Sequence, residues 1–198
     1  GGMPAQPGSR PDTWSVYLAS DDAQKTVERA TDGGAQIYAA PMAVADLGTM
    51  AVIADPGGAR IGIWQPGTFA GFTVLAEAGT ASWFELHTRD YTRAVSFYRD
   101  VFGWDTRTMS DAPEFRYTID ADGEEQLAGI MDASAMLPDD AASHWSVYFG
   151  VGDADAAVAK AISLGGTVVA AAMDSPYGRL AELSDPTGAQ FRIIAANR

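Results

Sequence analysis

Glu85 and His87 stand two residues apart in the stretch SWFELHT, residues 82–88. The stretch is rich in aromatic residues and bounded by polar ones, so it reads as a strand. A strand's two-residue period puts both side chains on one face. A carboxylate beside an imidazole can share a proton, and histidine titrates near neutral pH, where acid–base catalysis needs it. Arg192, in the late run AQFRIIA, adds a permanent cation able to stabilise an anion that develops on a substrate. A structural reading competes with this one. In it Glu85 forms an ion pair with Arg192 or Arg179, and His87 sits at the edge of a sheet. Such charged networks outnumber catalytic dyads, and the structural reading is the one favoured.

Other chemistries fall away quickly. The chain has no cysteine, which excludes disulfides, thiolate nucleophiles and thiolate metal sites; the same fact fits a reducing, cytoplasmic setting. There is no G-x-S-x-G nucleophile motif, and the double glycines do not follow a strand with phosphate-loop spacing. The acidic run DADGEE lacks the full ligand pattern of a calcium loop and reads as a solvated hairpin turn. The formal net charge of −13 repels phosphate backbones and anionic lipid, so neither nucleic acid nor a membrane surface is an expected partner. No apolar run approaches the roughly 20 residues of a membrane span.

The elements that hold Glu85, His87 and Arg192 are written as a repeat. TWSVYL at 13–18 returns as HWSVYF at 144–149, with Trp145 over Trp14 and Tyr148 over Tyr17 at an offset of 131. ADPGGARIGIW then returns as SDPTGAQFRII. In the later copy WSVYFGV is a strand and Asp153 a helix N-cap. Ala154, Ala157, Val158, Ala161 and Ile162 form an apolar helical face that Gly165-Gly166 ends. Three further strands follow, giving a β-α-β-β-β unit. A more diverged copy lies between the two. There SWFELHT is the first strand and Asp90 the cap. Tyr91, Ala94, Val95, Tyr98, Val101 and Phe102 form the stripe, and FRYTIDADGEEQLAGIMD holds two strands around the acidic turn. The five tryptophans are expected mostly in the core.

These runs, above all FYRDVFGW and the late DPTG turn, resemble the glyoxalase/bleomycin-resistance/extradiol-dioxygenase superfamily, and within it the actinobacterial group with two tandem glyoxalase-like domains. The resemblance implies an α+β fold in which paired βαβββ modules form a curved mixed sheet around a cavity, with helices on the outer face. Residues 1–66 then hold one module whose partner is absent, 67–79 a linker, and 80–198 a complete two-module domain. The lone module is expected either to have its partner outside this sequence or to pair with its copy in another chain, giving a homo-oligomer.

The resemblance also implies where a divalent metal would be held, at the first strand of each module and at the last strands. Here those positions carry Trp83, Ser146, Arg192 and either Gln126 or Ala128, and the lone module has Ser15 and Gly62. An arginine sets a cation against a cation, so no metal site and no cofactor is expected. By strand alternation Trp83, Glu85, His87, Ser146, Tyr148, Gln190 and Arg192 face the implied cavity. Tyr117 and Arg116 compete for one inward place, and His144 falls in a loop before its strand. The expected function is binding of a small organic molecule by Trp83, Ser146, Tyr148, Gln190 and Arg192 without metal. The alternative is a metal-independent lyase, isomerase or hydrolase using Glu85, His87 and Arg192. A conventional metal-dependent glyoxalase or dioxygenase is third.

Overall fold

The computed structural model describes residues 12–121, 126–139 and 141–196. Three β-α-β-β-β modules follow one another. The first comprises β1 (Tyr17–Ala19), α1 (Ala23–Asp32), β2 (Gln36–Val44), β3 (Gly48–Ala54) and β4 (Arg60–Pro66). The second comprises β5 (Ala81–Thr88), α2 (Tyr91–Phe102), β6 (Thr106–Ala112), β7 (Phe115–Asp120) and β8 (Ala128–Asp132). The third comprises β9 (His144–Gly150), α3 (Ala154–Ser163), β10 (Thr167–Ser175), β11 (Gly178–Ser184) and β12 (Gln190–Ala195). The fold is α+β, with its strands in two mixed sheets. Among the described residues no helix is long and apolar enough to cross a membrane.

Each helix starts at an aspartate for the same reason. Asp22, Asp90 and Asp153 accept a hydrogen bond from the backbone N–H three residues on, filling one of the donors a helix start leaves open. Gly103 ends α2 in the left-handed conformation that glycine adopts without steric cost. The strand β6 went unread in the sequence because TRTMSDA is polar and lies at a sheet edge. The tip of the acidic turn, residues 122–125, lies outside the described residues.

The chain divides into two compact units, and the division runs through β5 and β9. The larger holds 15–73 with the described part of 84–145; the smaller holds 12–14, 74–83 and 146–196.

In the larger unit the strands β1-β4-β3-β2 form one sheet, and Ala51, Ile53, Ile61 and Ile63 bury one face of it under α1. Helix α1 also meets α2, where Gly33 lies against the ring of Phe97. Phe97 is buried although it stands outside the expected stripe of α2, because this second contact widens the helix's covered face. A buried polar link in the unit is a chain of three side chains. Trp145 Nε1 donates to the hydroxyl of Tyr98 (2.9 Å), which donates in turn to Asp55 Oδ2 (3.1 Å). Asp55 Oδ1 accepts from the backbone N–H groups of Gly57 and Ala59, both at 2.9 Å.

In the smaller unit β9-β12-β11-β10 run side by side. Phe149, Val151, Ala157, Val158 and Ala161 pack on Ala154, Ala181, Leu183 and Ile193. Ile162 departs from the expected stripe and is 53% exposed; α3 covers its sheet with the Ala154–Ala161 side alone. Trp14 also departs. It is 47% exposed, lying edge-on against Phe149 and Phe191, whereas its copy Trp145 is buried. Of the five tryptophans only Trp104 and Trp145 are core residues. Trp145 has Tyr98 as a partner for its N–H, and that is what lets an indole go fully inside.

The repeat supplies a controlled comparison of one carboxylate in two environments. Asp185, the copy of Asp55, accepts from the Thr187 and Ala189 N–H groups in the same turn. Partial burial raises its pKa, but the hydrogen bonds from Thr187 and Ala189 outweigh that and hold it below its ordinary value. For Asp55, burial is the largest effect and pushes the pKa above 3.8 against the bonds from Ala59, Tyr98 and Gly57. A raised carboxyl pKa stabilises the fold fully below the unfolded value and loses that contribution as pH rises through the folded value. Asp55→Asn, measured by thermal denaturation, is therefore expected to compare more favourably with the wild type at pH 7 than at pH 4. Asp185→Asn is expected to show the opposite trend.

Candidate functional site

Register decides which side chains meet. In the larger unit β8 lies between β5 and β7, with Glu85 beside Gly129 and Ile119, and His87 beside Met131 and Tyr117. Residues in one row point to one side of a sheet. Glu85, His87, Tyr117 and Met131 therefore share a face, and Phe84, Leu86, Ala128 and Ile130 share the other. Ala128 is thus not on the Glu85 face; the β8 residues there are Gly129 and Met131.

Tyr117 takes the inward place over Arg116. Its hydroxyl donates to Glu85 Oε1 at 2.7 Å. The reach is diagonal across β8, and Gly129 has no side chain to block it. Arg116 points the other way, over the ring of Tyr91 and toward Asp111 and Asp132. On its other oxygen Glu85 meets His87: Oε2 lies 2.9 Å from Nε2, with the angle outside hydrogen-bond alignment. The contact is a close ion-pair distance, and its strength depends on the imidazole carrying a proton.

His87 is 2% exposed and Glu85 7%, so the histidine is interior rather than at a sheet edge. His144 is not in a loop. It opens β9, half-buried, and its ring lies parallel to that of His87 with centroids 5.2 Å apart. Strand β9 begins one residue earlier than the run WSVYFGV suggested. The ring of Phe115 stacks on Tyr117 at 5.5 Å. The face thus carries a carboxylate with a phenol on one oxygen and an imidazole near the other, an arrangement able to hold and pass a proton.

In the smaller unit a second row runs straight across three strands: Tyr148, Arg192 and Glu182. Arg192 Nη1 donates to the hydroxyl of Tyr148 at 2.6 Å, and Nη2 lies 3.2 Å from Glu182 Oε2. The guanidinium also sits over the Tyr148 ring, 5.4 Å from its centroid. Ser146 is half-buried on the same strand as Tyr148, Trp83 is half-buried near the start of β5, and Gln190 is exposed at the start of β12. Arg179, the other cation considered for Glu85, is held by Asp155 and Asp174.

Glu182 escaped the sequence reading although a signal was present. The DPTG turn centres a hairpin on Thr187, and Glu182 and Arg192 lie five residues to either side. His144 and Tyr117 had no comparable signal, because each needed the exact start or register of a strand.

The donor set does not suit a divalent metal at the places the resemblance implies. Trp83 offers no ligand atom, Ser146 only a neutral hydroxyl, and Arg192 a cation already turned to Tyr148 and Glu182. The β8 residues on the Glu85 face, Gly129 and Met131, provide no oxygen or nitrogen side-chain ligand. Among the described residues no group of three or more His, Cys, Asp or Glu is arranged to hold a metal ion.

Comparison with known proteins places these features in context. Residues 80–193 match the family model described as Glyoxalase/Bleomycin resistance protein/Dioxygenase superfamily. The chain is 38% identical over 192 residues to a Mycobacterium tuberculosis protein that carries the name glyoxylase CFP32, covering 96% of this chain and 72% of that protein. It is 36% identical over 198 residues to the anthracycline biosynthesis protein DauV of Streptomyces sp. (strain C5), covering 98% of this chain and 66% of that one. Among solved structures the Mn(II)-bound glyoxalase from Novosphingobium aromaticivorans superposes with a TM-score of 0.60 at 14% identity, covering 90% of this chain and 61% of that one.

Tyr117→Phe leaves a buried carboxylate without its phenolic donor, and losing a partner to a buried charged acceptor costs about 1–3 kcal/mol. Urea denaturation is expected to show a loss of that size, whereas Gln190→Ala on the exposed end of β12 is expected to change stability by less than about 0.5 kcal/mol.

Proposed function

The chain belongs to the glyoxalase/bleomycin resistance protein/dioxygenase superfamily, and on that premise we propose that it binds a small organic molecule without a divalent metal. The observation that carries this reading is the occupancy of the implied ligand positions by Trp83, Ser146 and Arg192. What stands there suits an organic ligand: an indole for flat apolar contact, a hydroxyl, and a guanidinium held in place by Glu182 and Tyr148. Tyr148 adds a second ring, and Gln190 an exposed amide at the start of the same β12 strand. The ligand class we propose is an aromatic metabolite, and the name of the Streptomyces relative, an anthracycline biosynthesis protein, is in keeping with it. We place this activity inside the cell, in keeping with a chain free of cysteine.

The test has two parts. Metal content of the purified protein is measured by mass spectrometry, and thermal shift is followed with nickel, zinc, manganese and iron(II). No stoichiometric metal and no saturable stabilisation is the expected result; a saturable shift would restore a metalloenzyme. A panel of polycyclic aromatic compounds is then titrated by fluorescence. Trp83→Ala is expected to weaken any binding found by roughly 10-fold or more, in line with about 1.5–3 kcal/mol for burying a large apolar side chain.

A second reading rests on a different observation, the placement of Tyr117, Glu85 and His87 on one face. In it Glu85 takes a proton from the substrate and His87 returns one, giving a lyase, isomerase or hydrolase that needs no metal. Under this reading turnover shows a bell-shaped pH dependence, and His87→Ala or Glu85→Gln lowers kcat about 100-fold or more while ligand binding persists. Binding without turnover of any bound compound would reject it.

A further inference from the structure

All three modules lay a helix on a sheet, and the second does so differently. In the first module α1 packs on β3, and in the third α3 packs on β11; in the second α2 packs on β8, one strand over. The side chains between helix and strand account for this. Ala154 and Ala181 belong to one core cluster of the third module, and Ala23 and Ala51 hold the matching places in the first; all four are buried. At the offset of 63 that separates Asp90 from Asp153, the second module has Tyr91 and Thr118 instead. Their hydroxyls share a hydrogen bond. A phenol and a threonine take more room than two alanines, so α2 is held off β7. The gap is a cavity of about 250 Å³ whose walls include Tyr91, Thr92, Val95, Arg99, Arg116 and Thr118. Thr118 stands opposite Ile130, so the cavity lies on the reverse of the sheet from Glu85 and His87.

One arginine is repeated with the sheet. Arg179 is the copy of Arg116 and Asp174 that of Asp111, and each pair is directly opposite across its hairpin. In the third module the first turn of α3 adds Asp155. Its two oxygens accept from Arg179 Nε (2.9 Å) and Nη2 (3.0 Å), while Asp174 takes Nη1 (3.0 Å). Two parallel bonds between a guanidinium and a carboxylate combine strength with a fixed geometry. In the second module Thr92 stands where Asp155 does. Arg116 donates from Nε to Asp111 (2.7 Å), has Asp132 at 3.7 Å, and sits over the ring of Tyr91, 4.4 Å from its centroid. The repeat thus gives one arginine a carboxylate on the helix and the other a cavity.

We propose that this cavity binds a small organic carboxylate, seated on Arg116 as Asp155 is seated on Arg179. Thr92, Thr108 and the Tyr91–Thr118 pair offer it hydroxyls, Val95 offers apolar contact, and Arg99 brings a second cation two turns along α2 from Thr92. Asp111, also on the wall, is bonded to Arg116 and leaves the remainder of the guanidinium to the ligand. Sites for drug-sized ligands run from roughly 300 to 1,000 Å³, so a cavity below that range suits an acid with one ring or a short chain. The site is separate from the face of Glu85 and His87 and does not depend on what that face does.

Sodium benzoate is the probe, titrated into the isotope-labelled full chain and followed by NMR, with sodium phosphate and sodium chloride at matched ionic strength. Saturable movement of amide resonances within 91–99 and 108–118 is expected with benzoate and not with the other two salts. Arg116→Gln is expected to weaken benzoate binding roughly 10-fold or more, because it removes the charged donors. Thr92→Asp returns to the helix the carboxylate that the third module has. It is expected to occupy Arg116 itself, with the same loss of benzoate binding and a higher Tm. That rise in Tm is expected to shrink when Arg116→Gln is added, which separates the ion pair from the gain any acid makes in a first helical turn. Benzoate that moves no resonance, or only those around Trp83 and Arg192, overturns the proposal. Saturable binding of phosphate in place of benzoate overturns it as well. So does benzoate binding unchanged in Thr92→Asp, the variant that decides the matter should Arg116→Gln disturb the fold.

Discussion

A buried carboxylate sets the terms for the larger unit. Asp55 is 3% exposed, and an ionised group at that depth is tolerable only with its oxygens filled. Two backbone amides of its own turn fill one oxygen, and Tyr98 from α2 fills the other while accepting from Trp145 at the start of β9. The first module, α2 and the β9 start are thereby tied through a single phenol, which is itself fully buried and whose pKa burial and the neighbouring Asp55 push well up. With the phenol fixed as a neutral donor, α2 cannot shift relative to the DPGG turn without stranding a charge. Helix α2 also packs on β8, the strand that lies between β5 and β7, which carry Glu85, His87 and Tyr117.

From that fixed layer the chemistry follows by alternation. In β5 the change is complete from residue to residue: Phe84 and Leu86 face one side, Glu85 and His87 the other. The two polar groups of side chains differ in kind. Tyr117, Glu85, His87 and His144 form a proton-holding set built from titratable groups at close range. Tyr148, Arg192 and Glu182 form a set centred on a guanidinium, which keeps its charge, and its geometry is suited to orientation. Binding without metal and acid–base turnover lean on different members of this list, which is why substitutions can separate them.

Much of this was legible in the chain. Aspartate caps, glycine stops and the internal repeat gave three modules, because each of those signals acts over a few residues. Tyr148 and Arg192 were found by alternation from the repeat's own landmarks. What escaped depended on distances along strands that no local signal sets. Tyr117 needed the β7–β8 register, His144 the true first residue of β9, and the Ala128 face was misplaced by one residue, which in a strand means the opposite side. Trp14 and Ile162 were read inward because periodicity reports which residues share a side, not whether anything covers that side. Phe97 was the reverse case, buried by α1, an element far from it in sequence.

Two copies of one tyrosine show how a duplicated unit drifts. Tyr148 lies beside Arg192 in its row, and Tyr17, its copy, lies beside Gly62. Tyr17's ring settles where any side chain at position 62 would have to go. The aromatic residue has become the filling of its own niche. A side chain at position 62 has room only once the ring moves out, so neither position can be altered without the other. In the third module the row carries an arginine beside its tyrosine, and in the first the tyrosine itself fills the space.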